Sequence, residues 1–178
     1  TALITLLVAT VYIVKIRNFK RMLAYSSIEH SAIVMLGMVM GPAGCADAIL
    51  HIVMHSFIKS GLFLHFPQLA KYYHSKLIDD MGGFFNVNPL GALTLVLGLF
   101  CITAVPPSGL FISELGIFSS MIESGNLLVL VLTMLFLTIM VWAICKSIFR
   151  VVFLPPKQGL APVEPIRSKA WESIPQLV

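Results

Sequence analysis

Charge is scarce in this chain. Asp, Glu, Lys and Arg together make up 11% of its 178 residues, less than half of the roughly 25% usual in soluble domains. With a hydrophobic fraction of 58% and a mean hydropathy of +0.94, that deficit excludes a soluble globular domain and makes a nucleic-acid partner untenable despite the formal charge of +4. Cysteine is sparse too. Cys45, Cys101 and Cys145 lie in separate segments without paired spacing, which excludes a disulfide framework and a thiolate metal site. The alternating pattern of an outer-membrane barrel is lacking. So are a phosphate-binding glycine loop, a nucleophile elbow, HExxH and CxxC, so no nucleotide, redox cofactor or metal is expected in this chain itself. No signal peptide opens it. The chain starts inside an apolar run without an initiator Met and stops at Leu177-Val178, which suggests a piece of a longer protein.

What remains is apolar segments of roughly 20 residues, the signature of membrane-spanning α-helices. Five are read: Thr1 to about Ile16, about Leu23 to Met40, about Ala46 to Leu69, Pro89 to about Ile122 with a break, and about Leu127 to Ile148. The expected fold is an all-α transmembrane helix bundle over residues 1–153. Residues 154–178 carry five prolines and read as a cytoplasmic linker leading to a missing last helix, with a short interfacial helix near Ser168 to Trp171.

The basic residues orient the spans. Lys15, Arg17, Lys20 and Arg21 fill the first connection, Lys71 and Lys76 the third, and Lys146, Arg150, Lys157, Arg167 and Lys169 flank the last span or follow it. The second connection and the fourth have none. This is the positive-inside pattern, and it predicts a multi-pass membrane protein with connections one, three and the tail on the cytoplasmic side. It leaves one of the twelve Lys and Arg unexplained: Lys59, inside a span.

The fourth span is too long for one crossing and is interrupted at Ala104-Val105-Pro106-Pro107-Ser108-Gly109. Pro106 and Pro107 remove two backbone donors, and Gly109 relaxes the backbone. A discontinuous helix is predicted, with its break facing protein or a water-filled cavity, where freed backbone groups are tolerated at membrane depth.

Seven ionisable groups lie at membrane depth: Glu29 and His30, then His51, His55, Lys59 and His65, then Glu114 beyond the break. An isolated charge there costs about 2.5–3.5 kcal/mol on insertion scales, so mutual pairing or internal water is implied. His51, His55 and Lys59 advance by only about 40° per step and share one stripe of a helix, with Asp47 one step before them. Burial disfavours the charged form of carboxyls and amines alike, so membrane-embedded Lys, His and Glu can pass a proton in small steps. A sodium path would favour carboxylates, hydroxyls and carbonyls, and only Glu29 and Glu114 are carboxylates deep in the spans. Plainer readings stand beside this one. His51 and His55 could ligate a metal from successive turns, although no third ligand is evident, or each could be a neutral histidine bonded to a carbonyl. Lys59 could snorkel. Glu29 and His30 could pair with Lys20 or Arg21 near the interface, and Lys146 serves equally as anchor or exit residue. Glu114 has little structural reason to sit beside a break.

Three ordered motifs, KRMLAYSSIEHSAIVMLGM, ILHIVMHSFIKSGLFL and ITAVPPSGLFISE, resemble the second half of the antiporter-like proton-translocating membrane subunits of complex I, Mrp antiporters and group 4 membrane-bound hydrogenases. The pairing of SSIEH with PPSGLFISE is most similar to the hydrogenase-4 component F type. The resemblance implies a fold of 14 helices with two inverted five-helix repeats, of which this chain covers roughly helices 9 to 13. Lys59 would then match the lysine of a central hydrophilic axis, His55 and His51 its neighbours, and Glu114 the terminal Lys or Glu of the distal half-channel. The pump residues of the first repeat lie outside this chain. The function implied is proton translocation along a Lys/His/Glu axis, with Glu29, His30, His65 and Lys146 as further candidates. The alternatives are an Mrp-type Na+/H+ antiporter subunit and a non-conducting membrane scaffold. The implied partners are other membrane subunits and peripheral redox subunits, where a NiFe centre, Fe–S clusters or a quinone would reside.

Overall fold

The computed structural model describes residues 1–155, apart from the side chains of Gln68 and Val87. The linker and the interfacial helix expected near Ser168 to Trp171 lie outside the described residues. Within them all regular structure is helical: α1 Ala2–Lys15, α2 Phe19–Val39, α3 Pro42–Tyr73, α4 Phe84–Val87, α5 Pro89–Ile102, α6 Gly109–Glu123 and α7 Leu127–Phe153. The expected helical membrane bundle is the observed fold class. Helices α2, α3 and α7 are long and apolar enough to cross a membrane, and α1 and α5 are shorter apolar helices.

Local chemistry sets the helix starts. Asn18 caps α2 by accepting from the Arg21 N–H, Asn88 caps α5 through the Gly91 N–H, and Ser108 caps α6 through the Phe111 N–H, so each side chain satisfies one orphan donor of a first turn. Pro42 and Pro89 stand at first helical positions, where no N–H is missed. α3 runs 32 residues, about 48 Å at 1.5 Å per residue, and so extends past both ends of the span read from hydropathy.

The connections sort by end. The connection between α1 and α2 and the segment after α3 are bonded to each other: the Phe19 N–H donates to the Lys76 carbonyl at 3.1 Å and the Ile78 N–H to the Arg17 carbonyl at 2.7 Å. Arg150, near the end of α7, reaches Asp79 at 2.6 Å. The basic segments thus gather at one end of the bundle. At the other end the Asn126 amide reaches Met40 Sδ at 3.7 Å, joining the two connections that carry no Lys or Arg. Sorting the ends by charge is what the positive-inside pattern requires.

α3 packs between α2 and α6, while α1 covers α2 and α7 covers α1. Phe19, Leu23, Ile33, Leu69, Leu99, Leu110 and Ile117 are buried in this arrangement, whereas Ile4, Phe57, Leu64 and Leu128 point outward and are well exposed. An apolar exterior of this kind suits a bilayer or another membrane helix.

Candidate functional site

The polar residues lie along the seam where α2, α3 and α6 meet. α3 runs antiparallel to α2, so that Ser26 faces Lys59, His30 faces His51 and His55, and Gly37 faces Gly44. It also runs antiparallel to α6, so that His51 meets Ser113, Asp47 meets Gly116 and Gly44 meets Ser120. Small residues set both registers. A methyl group on Gly44 would stand 2.6 Å from the Gly37 carbonyl oxygen, a distance real Cβ atoms do not tolerate, so the two backbones approach this closely only with glycine between them. At Gly116 a methyl group would collide with the Asp47 carboxylate.

Lys59 is 5% exposed. Its Nζ donates to the Leu23 carbonyl and to Ser26 Oγ, and the Phe63 ring lies 6.0 Å away. The ammonium is turned inward onto α2, which overturns the snorkelling alternative. Leu23 O also accepts from the Ser26 and Ser27 hydroxyls, so one carbonyl serves as a hub beside the lysine.

Two turns along, the imidazoles join. His30 Nδ1 lies 3.0 Å from His51 Nε2, and His51 Nδ1 lies 2.9 Å from Ser113 Oγ. Ser113 Oγ donates to the Leu110 carbonyl at 2.9 Å, and a hydroxyl has only one proton. His51 Nδ1–H is therefore the donor to Ser113, His51 Nε2 is left as acceptor, and His30 Nδ1–H donates to it. The opposite setting, in which Ser113 donates to His51 and His51 Nε2–H donates to His30 Nδ1, uses the same atoms. The row therefore has two proton arrangements of one geometry. Glu114 Oε1 stands 3.9 Å from His30 Nδ1.

The break in α5–α6 feeds this row. Ala104, with φ +51°, takes the left-handed position of a Schellman close: the Val105 N–H donates to the Phe100 carbonyl and the Ala104 N–H to Cys101. The Ile102 carbonyl would be met by the N–H of residue 106 in an unbroken helix, but that residue is proline. The carbonyl instead faces the His30 ring. Ser108 then restarts the chain as α6 and carries Ser113 and Glu114 inward, the latter 8% exposed.

Glu29 is fully buried, and neither of its carboxyl oxygens has a hydrogen bond among the described residues. Lys59 and Glu114 are its charged neighbours. Glu29 and His30 are thus deep in the bundle and not paired with Lys20 or Arg21, as the interfacial alternative required. The His55 ring centroid is 4.8 Å from that of His30. His65 is buried farther toward the basic end, with its ring edge-on to Phe84 at 6.0 Å. Lys146 lies apart from the row, over the Trp142 ring at 4.9 Å. The structure therefore brings together Glu29, His30, His51, His55, Lys59 and Glu114, and leaves His65 and Lys146 outside their immediate cluster. Sequence reasoning passed over Ser26, Ser113 and the Ile102 carbonyl. Ser26 stands one turn before His30 and Ser113 directly before Glu114, a spacing that offered a faint signal for both.

A metal is the main rival for these atoms. His30, His51 and Glu114 bring ligand-type atoms within 4.8 Å of one another, whereas the His51 and His55 rings are parallel within 8° at 6.4 Å and do not converge as the H-x3-H reading required. Two nitrogens on a tetrahedral zinc would stand about 3.3 Å apart, given Zn–N bonds of about 2.0–2.1 Å. The observed 3.0 Å between His30 and His51 is a hydrogen-bond distance. At that distance the two nitrogens share a hydrogen bond.

Bundle, broken helix and interior row of Lys, His and Glu together define the class of antiporter-like membrane subunits. A family described as NADH:quinone oxidoreductase/Mrp antiporter, transmembrane, matches residues 1–141, and the chain belongs to it. Its sequence is 32% identical over 162 residues to the hydrogenase-4 component F homolog of Methylacidiphilum infernorum, covering 90% of this chain and 34% of that protein. In structure it is similar to a chain of respiratory complex I from Thermus thermophilus, with a TM-score of 0.86 at 17% identity over 99% of this chain and 37% of that one. It is also similar to a chain of the Mrp complex from Dietzia, with a TM-score of 0.81 at 18% identity over 94% of this chain and 33% of that one. At these identities the two structures establish the shared fold. The chain spans about a third of the length of the curated relatives it matches.

Proposed function

We propose that this chain forms the second half of a proton-translocating membrane subunit in a redox-driven complex of the prokaryotic cytoplasmic membrane. Protons would move between Lys59, Glu29, His30, His51 and Glu114, with His55 beside the row. The observation that supports this best is the unbroken chain of exchangeable groups from three helices, with His30 to His51 at 3.0 Å and His51 to Ser113 at 2.9 Å. A proton can pass between His30 and His51 across 3.0 Å without moving a helix, which suits transfer in small steps. The 3.9 Å from His30 to Glu114 is within reach of a modest side-chain shift or one bridging water. The coupling energy would come from redox chemistry in partner subunits that hold the NiFe centre, Fe–S clusters or quinone. Sodium is the weaker substrate, because the hydroxyl and carbonyl oxygens of the row are engaged with Lys59 and His51, which leaves two carboxyls set among imidazoles.

The test is made in the full complex reconstituted in vesicles, with electron transfer and proton uptake measured together. Glu114→Gln and Lys59→Ala should each lower proton movement per electron by tenfold or more while the soluble electron-transfer half-reaction persists. Unchanged stoichiometry in both would refute the reading, and cation exchange without an electron donor would transfer the chain to the antiporter alternative.

A further inference from the structure

Away from the polar row, the basic end of the bundle contains a cavity of about 260 Å³ between the end of α1, the segment after α3 and the last turns of α7. Arg17, Lys146 and Arg150 line it, against one carboxylate, Asp79. Arg150 is committed to Asp79 at 2.6 Å, while Arg17 approaches the same carboxylate only at 3.9 Å and remains mostly exposed. Lys146 has no carboxylate within ion-pair distance among the described residues and is held over Trp142. Apart from Ser147 the remaining wall is apolar and includes Ile13 and Ile78.

Among the described residues that line the cavity, the charge does not close. Each helix C-terminus is equivalent to about half a negative charge, and the ends of α1 and α7 both point here. Those two ends and Asp79 still fall about one unit short of three cations. One unit is the charge of a single phosphodiester. Lys146 lies seven residues before the end of α7, about 10 Å along the axis, and its partner is a tryptophan, the side chain that settles where hydrocarbon meets headgroup. A soluble anion would have no use for the apolar wall. A phospholipid would place its phosphate among the cations and its acyl chains along Ile13.

We propose that this cavity is a binding site for the headgroup phosphate of an anionic phospholipid, which bridges α1 to α7 through Arg17 and Lys146. Basic pockets between membrane helices on the positively charged side are suited to such headgroups. Arg150 would stay with Asp79 and form the floor. The site is separate from the proton row, and neither proposal depends on the other.

The test uses the full-length protein in its complex, stripped of lipid in detergent and then offered phosphatidylglycerol or phosphatidylcholine, with bound lipid counted by native mass spectrometry. Phosphatidylglycerol should be retained in preference to phosphatidylcholine. Lys146→Gln and Arg17→Gln should each weaken its retention about fivefold, and the double variant about twenty-five-fold, while Lys146→Arg keeps it. Equal retention of the two lipids, or a double variant that binds phosphatidylglycerol like the parent, would overturn the proposal. So would displacement of the lipid by inorganic phosphate alone, which would make this a site for soluble anions.

Discussion

Ser113 offers the sharpest way to question the proton row, because it is neutral, lies inside the bundle and is removed by a single oxygen atom. Ser113→Ala deletes the acceptor of the His51 Nδ1–H, which now lies 2.9 Å from Ser113 Oγ. It should leave the helix itself intact, since alanine is the better helix former and the Leu110 carbonyl accepts a backbone bond in any case. Two outcomes are open to His51. It can keep its proton on Nδ1 as a buried, unsatisfied donor, or it can move the proton to Nε2 and reverse the bond to His30. Leaving a buried donor unmade costs about 1–3 kcal/mol, and the arrangement that sets the row for transfer becomes rarer by about 5- to 150-fold. Steady-state proton uptake per electron in reconstituted vesicles should fall within that range, with the complex assembled in normal yield. Ser113→Thr, which keeps the hydroxyl, should retain most of the parent's uptake. If Ser113→Ala pumps within twofold of the parent while Glu114→Gln does not, the His30–His51–Ser113 relay is wrong, although a path through Glu114 survives.

Other consequences concern the scaffold of the row. Ala104 occupies a left-handed backbone position with φ +51°, where L-residues with a Cβ are strained by about 1–2 kcal/mol. Ala104→Gly should therefore raise the resistance of the membrane-embedded chain to denaturant by about 1 kcal/mol, read from titration with a denaturing detergent; a lower stability would contradict the helix-break geometry. Gly44→Ala places a methyl group 2.6 Å from the Gly37 carbonyl and 3.1 Å from Met40 Cβ, and overpacking of this kind costs about 1–3 kcal/mol. Its stability loss should be accompanied by reduced proton uptake, because the α2–α3 register that aligns His30 with His51 is set there. Cysteine pairs at His30 and His51 neighbours would report that shift as a changed cross-linking rate.

The hydropathy of the chain determined that it is a helical membrane protein. The placement of Lys and Arg sorted its connections into two ends, and Pro106-Pro107 announced the break. Each is a local property: an apolar run of sufficient length must span, a basic loop stays on its side, and a proline cannot donate. Periodicity along α3 likewise placed His51, His55 and Lys59 on one stripe without any partner helix. Tertiary structure decided what that stripe faces. Helical periodicity tells which residues share a face, but the register between faces depends on where backbones can approach. Here that is set by Gly37 against Gly44 and Gly116 against Asp47, contacts between positions far apart in the chain. That register joined His30 to His51, recruited Ser113 and the Ile102 carbonyl, and drew Glu29 and His30 away from the interface. The stripe was legible as chemistry in the sequence; its continuation through α2 and α6 became visible only when three helices were packed together.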